Sequence, residues 1–216
     1  IWDKAQHNAF TDLIRFKGAF YCAFREGKGH LSADGRIRVL RSKEGEVWAS
    51  AAVMTWPNGD VRDAKLSITP HGRLMLNGGV RLLDTGKDYT EQLTQSVTWF
   101  SEDGETWSEP YACESGRGTW RWSVTWHDGI AYSVGYSRSG KDPAGCLYRS
   151  KDGKAWEVVK DDVFPNAKMY GNETSLIFEE DDTARCLLRR DSSNQKALFG
   201  TARPPYTDWQ WKELDK

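Results

Sequence analysis

The chain has 216 residues, with 30 Lys and Arg against 31 Asp and Glu and a formal net charge of −1. This length supports a domain with a sizeable core, and 38% hydrophobic and 28% charged residues argue against disorder. No apolar run reaches the roughly 20 residues of a membrane-spanning helix, and the balanced charge carries no footprint for a nucleic-acid partner.

Apolar spacing of three and four residues is scarce along the chain, and short aromatic-rich runs dominate, so the class expected is all-β. The first strand runs over Phe10 to Phe16, turns at Gly18 and returns as AFYCAF. A second hairpin signal follows at Ser42-Lys43-Glu44-Gly45-Glu46-Val47-Trp48. The order then repeats. Leu66 to Thr69, a turn at Gly72 and RLMLNGG lead through SVTWF to Ser101-Glu102-Asp103-Gly104-Glu105-Thr106-Trp107. Val124 to Trp126, Gly129 and IAYSVGY lead to Ser150-Lys151-Asp152-Gly153-Lys154-Ala155-Trp156. In the last copy Leu176 to Phe178 precede Asp182, which takes the place of the turn glycine, and Trp209 and Trp211 fall where a degenerate fourth box belongs.

Asp-Gly favours tight turns, because both residues tolerate positive φ. The Ser and Asp side chains can satisfy local backbone donors, and the Trp can pack inward. A four-stranded antiparallel unit recurring every fifty to sixty residues or so is a propeller blade. The expectation is a β-propeller with about four blades over residues 1–216, a single domain or a fragment of one. The four cysteines, Cys22, Cys113, Cys146 and Cys186, show no metal-ligand spacing, so no metal or cofactor is expected, and buried free thiols are favoured over disulfides. Counted from the turn residue, Cys22 and Cys186 hold equivalent places.

The boxes SEDGETW and SKDGKAW resemble the Asp-boxes of the sialidase (neuraminidase) superfamily, one residue shorter than the common form. The stretches HNAFTDLIRFKGAFYCAFREGKGH, DVRDAKLSITPHGRLML, GNETSLIF and GTARPPYTDWQW are similar to bacterial exo-α-sialidase-like proteins with such repeats. The resemblance implies a six-bladed propeller, a carbohydrate ligand and a bacterial secreted or periplasmic setting. It also implies two further blades carrying a third arginine and a tyrosine nucleophile. Either this chain is truncated or it closes with four blades.

In a propeller, the loops leading into the innermost strands converge on one face. Counting back from the turn residues places His7-Asn8, Arg62-Asp63, Trp120-Arg121 and Asn172-Glu173 there. Arg25-Glu26 and Arg189-Arg190 follow at the strand exits, and the glycine-rich loop from Gly27 to Gly35 carries His30 and Asp34. The resemblance implies arginines that clamp a substrate carboxylate through paired hydrogen bonds, so Arg25, Arg62, Arg121, Arg189 and Arg190 are candidates for substrate binding. His30 and Trp120 are added from their positions in the loop and at the strand entry.

The resemblance assigns Asp34 in SADG as general acid and Glu173 in NET as partner of the tyrosine nucleophile. Arg189 or Arg190 matches a triad arginine. Asp63 is a further catalytic candidate from its position. His7-Asn8-Ala9 replaces the family's first Arg-Ile-Pro motif, and Arg62 and Arg121 are candidates to stand in for its arginine. The function expected is a glycoside hydrolase acting on an acidic sugar, the alternative a non-catalytic carbohydrate-binding propeller. His71 and His127, in turns, are expected to be solvated.

Overall fold

The computed structural model describes residues 1–84, 86–88, 90, 92–137, 145–165, 171–191 and 196–215. The chain divides into two compact units, Ile1–Arg117 and Gly118–Lys216. In the first unit, β1 (His7–Phe16), β2 (Ala19–Gly27), β3 (Arg36–Ser42) and β4 (Ala49–Met54) form one sheet in sequence order. A second sheet follows, of β5 (Gly59–Ile68), β6 (Leu74–Leu82), β7 (Leu93–Ser101) and β8 (Tyr111–Arg117). In the second unit, a sheet of β10 (Thr125–His127), β11 (Ile130–Ser137), β12 (Cys146–Ser150) and β13 (Glu157–Asp161) has β9 (Thr119–Arg121) paired to β11. The fourth sheet contains β14 (Gly171–Phe178), β15 (Ala184–Arg190), β16 (Leu198–Ala202) and β17 (Trp209–Glu213). All pairings are antiparallel, so the chain is all-β and each sheet is an up-and-down blade.

Strand alternation places the core. In β2, Tyr21 and Ala23 face a cluster with Ile37, Val39, Val61, Leu76, Val80 and Trp99, while Cys22 and Phe24 face the other side with Leu40 and Trp48. The second unit buries Trp120, Leu147, Phe164, Leu176, Leu188 and Leu198. All four cysteines are free, Cys22 and Cys186 being buried.

The hairpins between the third and fourth strands of the first three sheets share one geometry. The backbone N–H groups of Gly45, Gly104 and Gly153 donate to the hydroxyls of Ser42, Ser101 and Ser150 at 2.7–2.8 Å. Each glycine has positive φ. Asp103 Oδ1 accepts from Glu105 N and Thr106 N, and Asp152 Oδ1 accepts from Lys154 N and Ala155 N. The hydrogen bonds from Thr106 and Glu105 pull the Asp103 carboxyl down to about 2. Each tryptophan closes the turn by donating Nε1–H to the carbonyl three residues back. Trp209 does the same to Tyr206, which has φ of 67°, so the fourth sheet keeps the turn without Ser, Asp or Gly.

The turn residue misled the alignment between sheets because the turns differ in length. Phe16 pairs with Ala19 across two residues, whereas Phe178 pairs with Ala184 across five. Cys22 pairs with Leu13 and Cys186 with Leu176, and in true register Cys22 corresponds to Leu187. The two cysteines therefore lie on opposite faces of their sheets rather than in equivalent places.

Candidate functional site

The first strand of three sheets carries a register shift, between Ala9 and Asp12, between Arg62 and Lys65, and between Gly171 and Thr174. In the remaining sheet the edge is interrupted at the same point of the register, where β9 ends at Arg121 and β10 begins at Thr125. A bulge inserts a residue, bends the strand and re-aims side chains. Phe10 and Asp63 sit at this point in β1 and β5 with φ of 63° and 58°, and strain of this kind gathers at functional sites.

Immediately before each bulge or interruption, one arginine faces one small residue. The pairs are Ala9 with Arg25, Arg62 with Gly79, Arg121 with Gly135, and Gly171 with Arg190. A small partner gives the guanidinium room and avoids two like charges side by side. The register corrects the expected alignment: Arg62 corresponds to Ala9 rather than to His7-Asn8, and Arg25 corresponds to Arg190 rather than Arg189.

In the first unit these groups form a buried network. Arg25 is 0% exposed; its Nε donates to Asp60 Oδ1 at 2.8 Å, Nη1 to Gly29 O, and Nη2 to Ser32 O and Oγ. Arg25 thus ties the Gly27–Gly35 loop to β5 rather than facing a ligand, which corrects its expected role. Gly35 is required there, because a Cβ would lie 1.6 Å from Asp60 Oδ1 and 2.5 Å from Arg25 Nε. The other oxygen of Asp60 lies 3.5 Å from Arg62 Nη1, and Arg62 Nε lies 3.7 Å from Asp63. Asp60 is also cross-strand to buried Arg81.

The Arg62 guanidinium sits 5.0 Å over the Phe10 ring, which meets His30 at 5.3 Å, and His30 meets His7 at 5.5 Å. Burial and the nearby Arg62 charge hold His30 below its ordinary pKa, so it is neutral at pH 7. Asp34 is exposed and accepts from Lys28 N–H at 3.2 Å. Hydrogen bonds from Ser32 and this N–H lower its pKa. Beside this network Glu26 receives Trp2 Nε1, Arg36 and Arg38. Burial pushes the Glu26 pKa up, but those hydrogen bonds outweigh it and the net shift is downward.

In the second unit, Trp120 is 1% exposed and belongs to the core, so its expected place among the substrate-binding residues is corrected. Alternation puts Arg121 on the other face, 5.0 Å over Trp156 and 5.7 Å from the Tyr148 ring centre. Glu173 lies in the β14 bulge, and its carboxylate meets Arg189 Nη1 at 2.7 Å. Arg189 also meets Asp191 at 2.9 Å and is exposed. Arg190 is bound to Glu213 and to the Lys196 carbonyl. Of that pair, Arg189 is the one beside the bulge glutamate.

Asp60 was missed from sequence. The signal lay in GDVRDAK, where Asp60 and Arg62 alternate onto one face of a strand. Its partner Arg25 is 35 residues away and gives no local sign.

Neither a protein-family model nor a curated protein matches the sequence. Among solved structures, the chain is similar to a protein of unknown function from Dyadobacter fermentans, at 18% identity and a TM-score of 0.78, covering 96% of this chain and 69% of that one. It is similar to the NanB sialidase of Streptococcus pneumoniae at 11% identity and a TM-score of 0.76, covering 98% of this chain and 52% of that one. An α-L-arabinofuranosidase of Fusarium graminearum aligns at 12% identity and a TM-score of 0.70, covering 96% of this chain and 66% of that one. The chain spans about half the length of the sialidase. At these identities the likeness shows the fold, a sialidase-like β-propeller of four-stranded antiparallel blades.

Proposed function

We propose that residues 1–216 belong to a propeller glycoside hydrolase that acts on a glycoside of an acidic sugar. The observation that carries this reading is Arg62, held at a strained bulge between Asp60 and Asp63 and laid over Phe10 beside His30. An arginine fixed in this way is pre-organised for a carboxylate. The fold, shared with sialidases and an arabinofuranosidase, suits such a substrate. In this reading Arg62 binds the sugar acid and Asp63 sets its orientation. Asp34 is the proton donor, His30 lines the site, and Arg25 positions the loop that carries both. In the second unit, taken by itself, Glu173 paired with Arg189 keeps the nucleophile-activating role that the sequence resemblance assigns it, and Arg121 stays a candidate cation. The Ser-x-Asp-Gly-x-x-Trp turns are read as shortened Asp-boxes that brace the blades.

One observation favours the second reading, a carbohydrate-binding propeller without turnover. A general acid needs a raised pKa, and that of Asp34 is lowered by Ser32 and Lys28. The test is hydrolysis of aryl glycosides of a sialic acid, of arabinofuranose and of neutral hexoses, with the full natural protein. Turnover confined to the acidic glycoside is expected, and Glu173→Gln should lower kcat by about 10²-fold or more while leaving ligand affinity nearly intact. Binding without turnover on every substrate selects the second reading, and neither binding nor turnover removes both.

A further inference from the structure

His127 was expected to be a solvated turn residue, but its surroundings are ordered. Its ring lies face to face with Phe178, 4.4 Å between centroids and 4° between planes. The stack fixes where Nε2 points. Asp182 Oδ1 lies 2.9 Å from that nitrogen and Asp128 Oδ2 lies 3.9 Å from it. Ligand atoms of all three residues fall within 4.8 Å of one another. Asp128 belongs to the turn between β10 and β11, and Asp182 to the turn between β14 and β15, so the cluster joins two sheets of the second unit.

The charge is unbalanced. Two carboxylates meet one imidazole, and among the described residues no lysine or arginine lies within salt-bridge distance of either. We propose that His127, Asp128 and Asp182 form a binding site for a transition-metal dication such as Zn²⁺. Imidazole together with carboxylates suits such an ion better than Mg²⁺ or Ca²⁺, which take oxygen donors. Two ligands on one ion with bonds near 2.1 Å stand between about 3 and 4.2 Å apart. His127 and Asp128, 3.9 Å apart, already meet this span, and His127 and Asp182, at 2.9 Å, need open only slightly to reach it. The Asp128 side chain, 85% exposed, can rotate the small remaining distance without disturbing packing. Solvent completes the coordination, and the ion pins the two turns together, replacing the direct hydrogen bond between His127 and Asp182.

The test is calorimetric titration of Zn²⁺ alone into chelator-treated protein, with Ca²⁺ titrated in parallel. Uptake of one Zn²⁺ is expected, with affinity at least tenfold above that for Ca²⁺. Asp128→Asn, which leaves the bond between His127 and Asp182 in place, should weaken Zn²⁺ at least tenfold with no change in the metal-free melting temperature. Asp182→Asn should weaken it likewise, and His71→Ala, remote in sequence, should not. No uptake, or equal affinity in the native and both aspartate variants, overturns the site.

Discussion

Asp60→Asn is expected to destabilise the protein by about 3–5 kcal/mol, because the change leaves a buried guanidinium uncompensated. Arg25 and Asp60 both have side chains 0% exposed, so solvent does not screen the pair. For a chain of this size the loss corresponds to a fall in melting temperature of roughly 6–20 °C, read by calorimetry. Arg25→Ala is expected to cost less than Asp60→Asn, since Asp60 keeps Arg62 within 3.5 Å. The double variant Arg25→Met with Asp60→Leu is expected to regain only part of the stability, because an apolar pair can replace the Arg25–Asp60 ion pair but buried Arg62 still loses its Asp60 contact. It should also free the Gly27–Gly35 loop, whose Gly29 and Ser32 carbonyls lose their donor. Faster amide exchange confined to that loop would show this. An Asp60→Asn variant that melts like the native protein would remove the network from the account.

Gly104→Ala is expected to be nearly as damaging, and Gly45→Ala much milder, although both glycines hold the same place in their turns. At Gly104 a Cβ would lie 2.3 Å from two carbons of the Tyr21 ring. That ring is pinned, its hydroxyl donating to Asp103 O at 2.8 Å and accepting from Arg41. The left-handed backbone costs alanine roughly 1–2 kcal/mol, and overpacking adds about 1–3. At Gly45 the nearest atoms to a Cβ are 4.0 Å away on Phe20, so only the backbone cost applies. Denaturant unfolding of the two variants checks this, and equal losses would contradict it.

These two changes also mark what a reader of the sequence could and could not see. The recurring turns and the apolar strands between them were legible, because Asp-Gly and alternation act locally. The fourth turn was legible only through Trp209, since Tyr206 adopts positive φ where glycine normally stands. Register between sheets was not legible, because turns of two and five residues both end near a glycine or aspartate. That error moved Arg25 into line with Arg189 and His7 into line with Arg62. The contact between Tyr21 and the Asp103–Gly104 turn crosses 82 residues. The role of Arg25 depends on Asp60 across 35. Neither separation leaves a pattern in one sequence. Arginine content near the strand ends was visible, but whether a guanidinium anchors a loop, as Arg25 does, or lies over an aromatic ring at a bulge, as Arg62 does, is decided by packing.

The central claim is that Arg62 and its neighbours recognise a sugar carboxylate. It is tested most directly by calorimetric binding of N-acetylneuraminic acid and of its methyl ester to the native protein and to Arg62→Gln, with circular dichroism to verify the fold. The account predicts that the acid binds and that the ester, its charge removed, binds at least tenfold more weakly. It also predicts that Arg62→Gln loses roughly tenfold to a hundredfold in affinity for the acid, the equivalent of about 1.5–3 kcal/mol for a charge-assisted contact. Equal binding of acid and ester, or unchanged affinity in a folded Arg62→Gln, would contradict it.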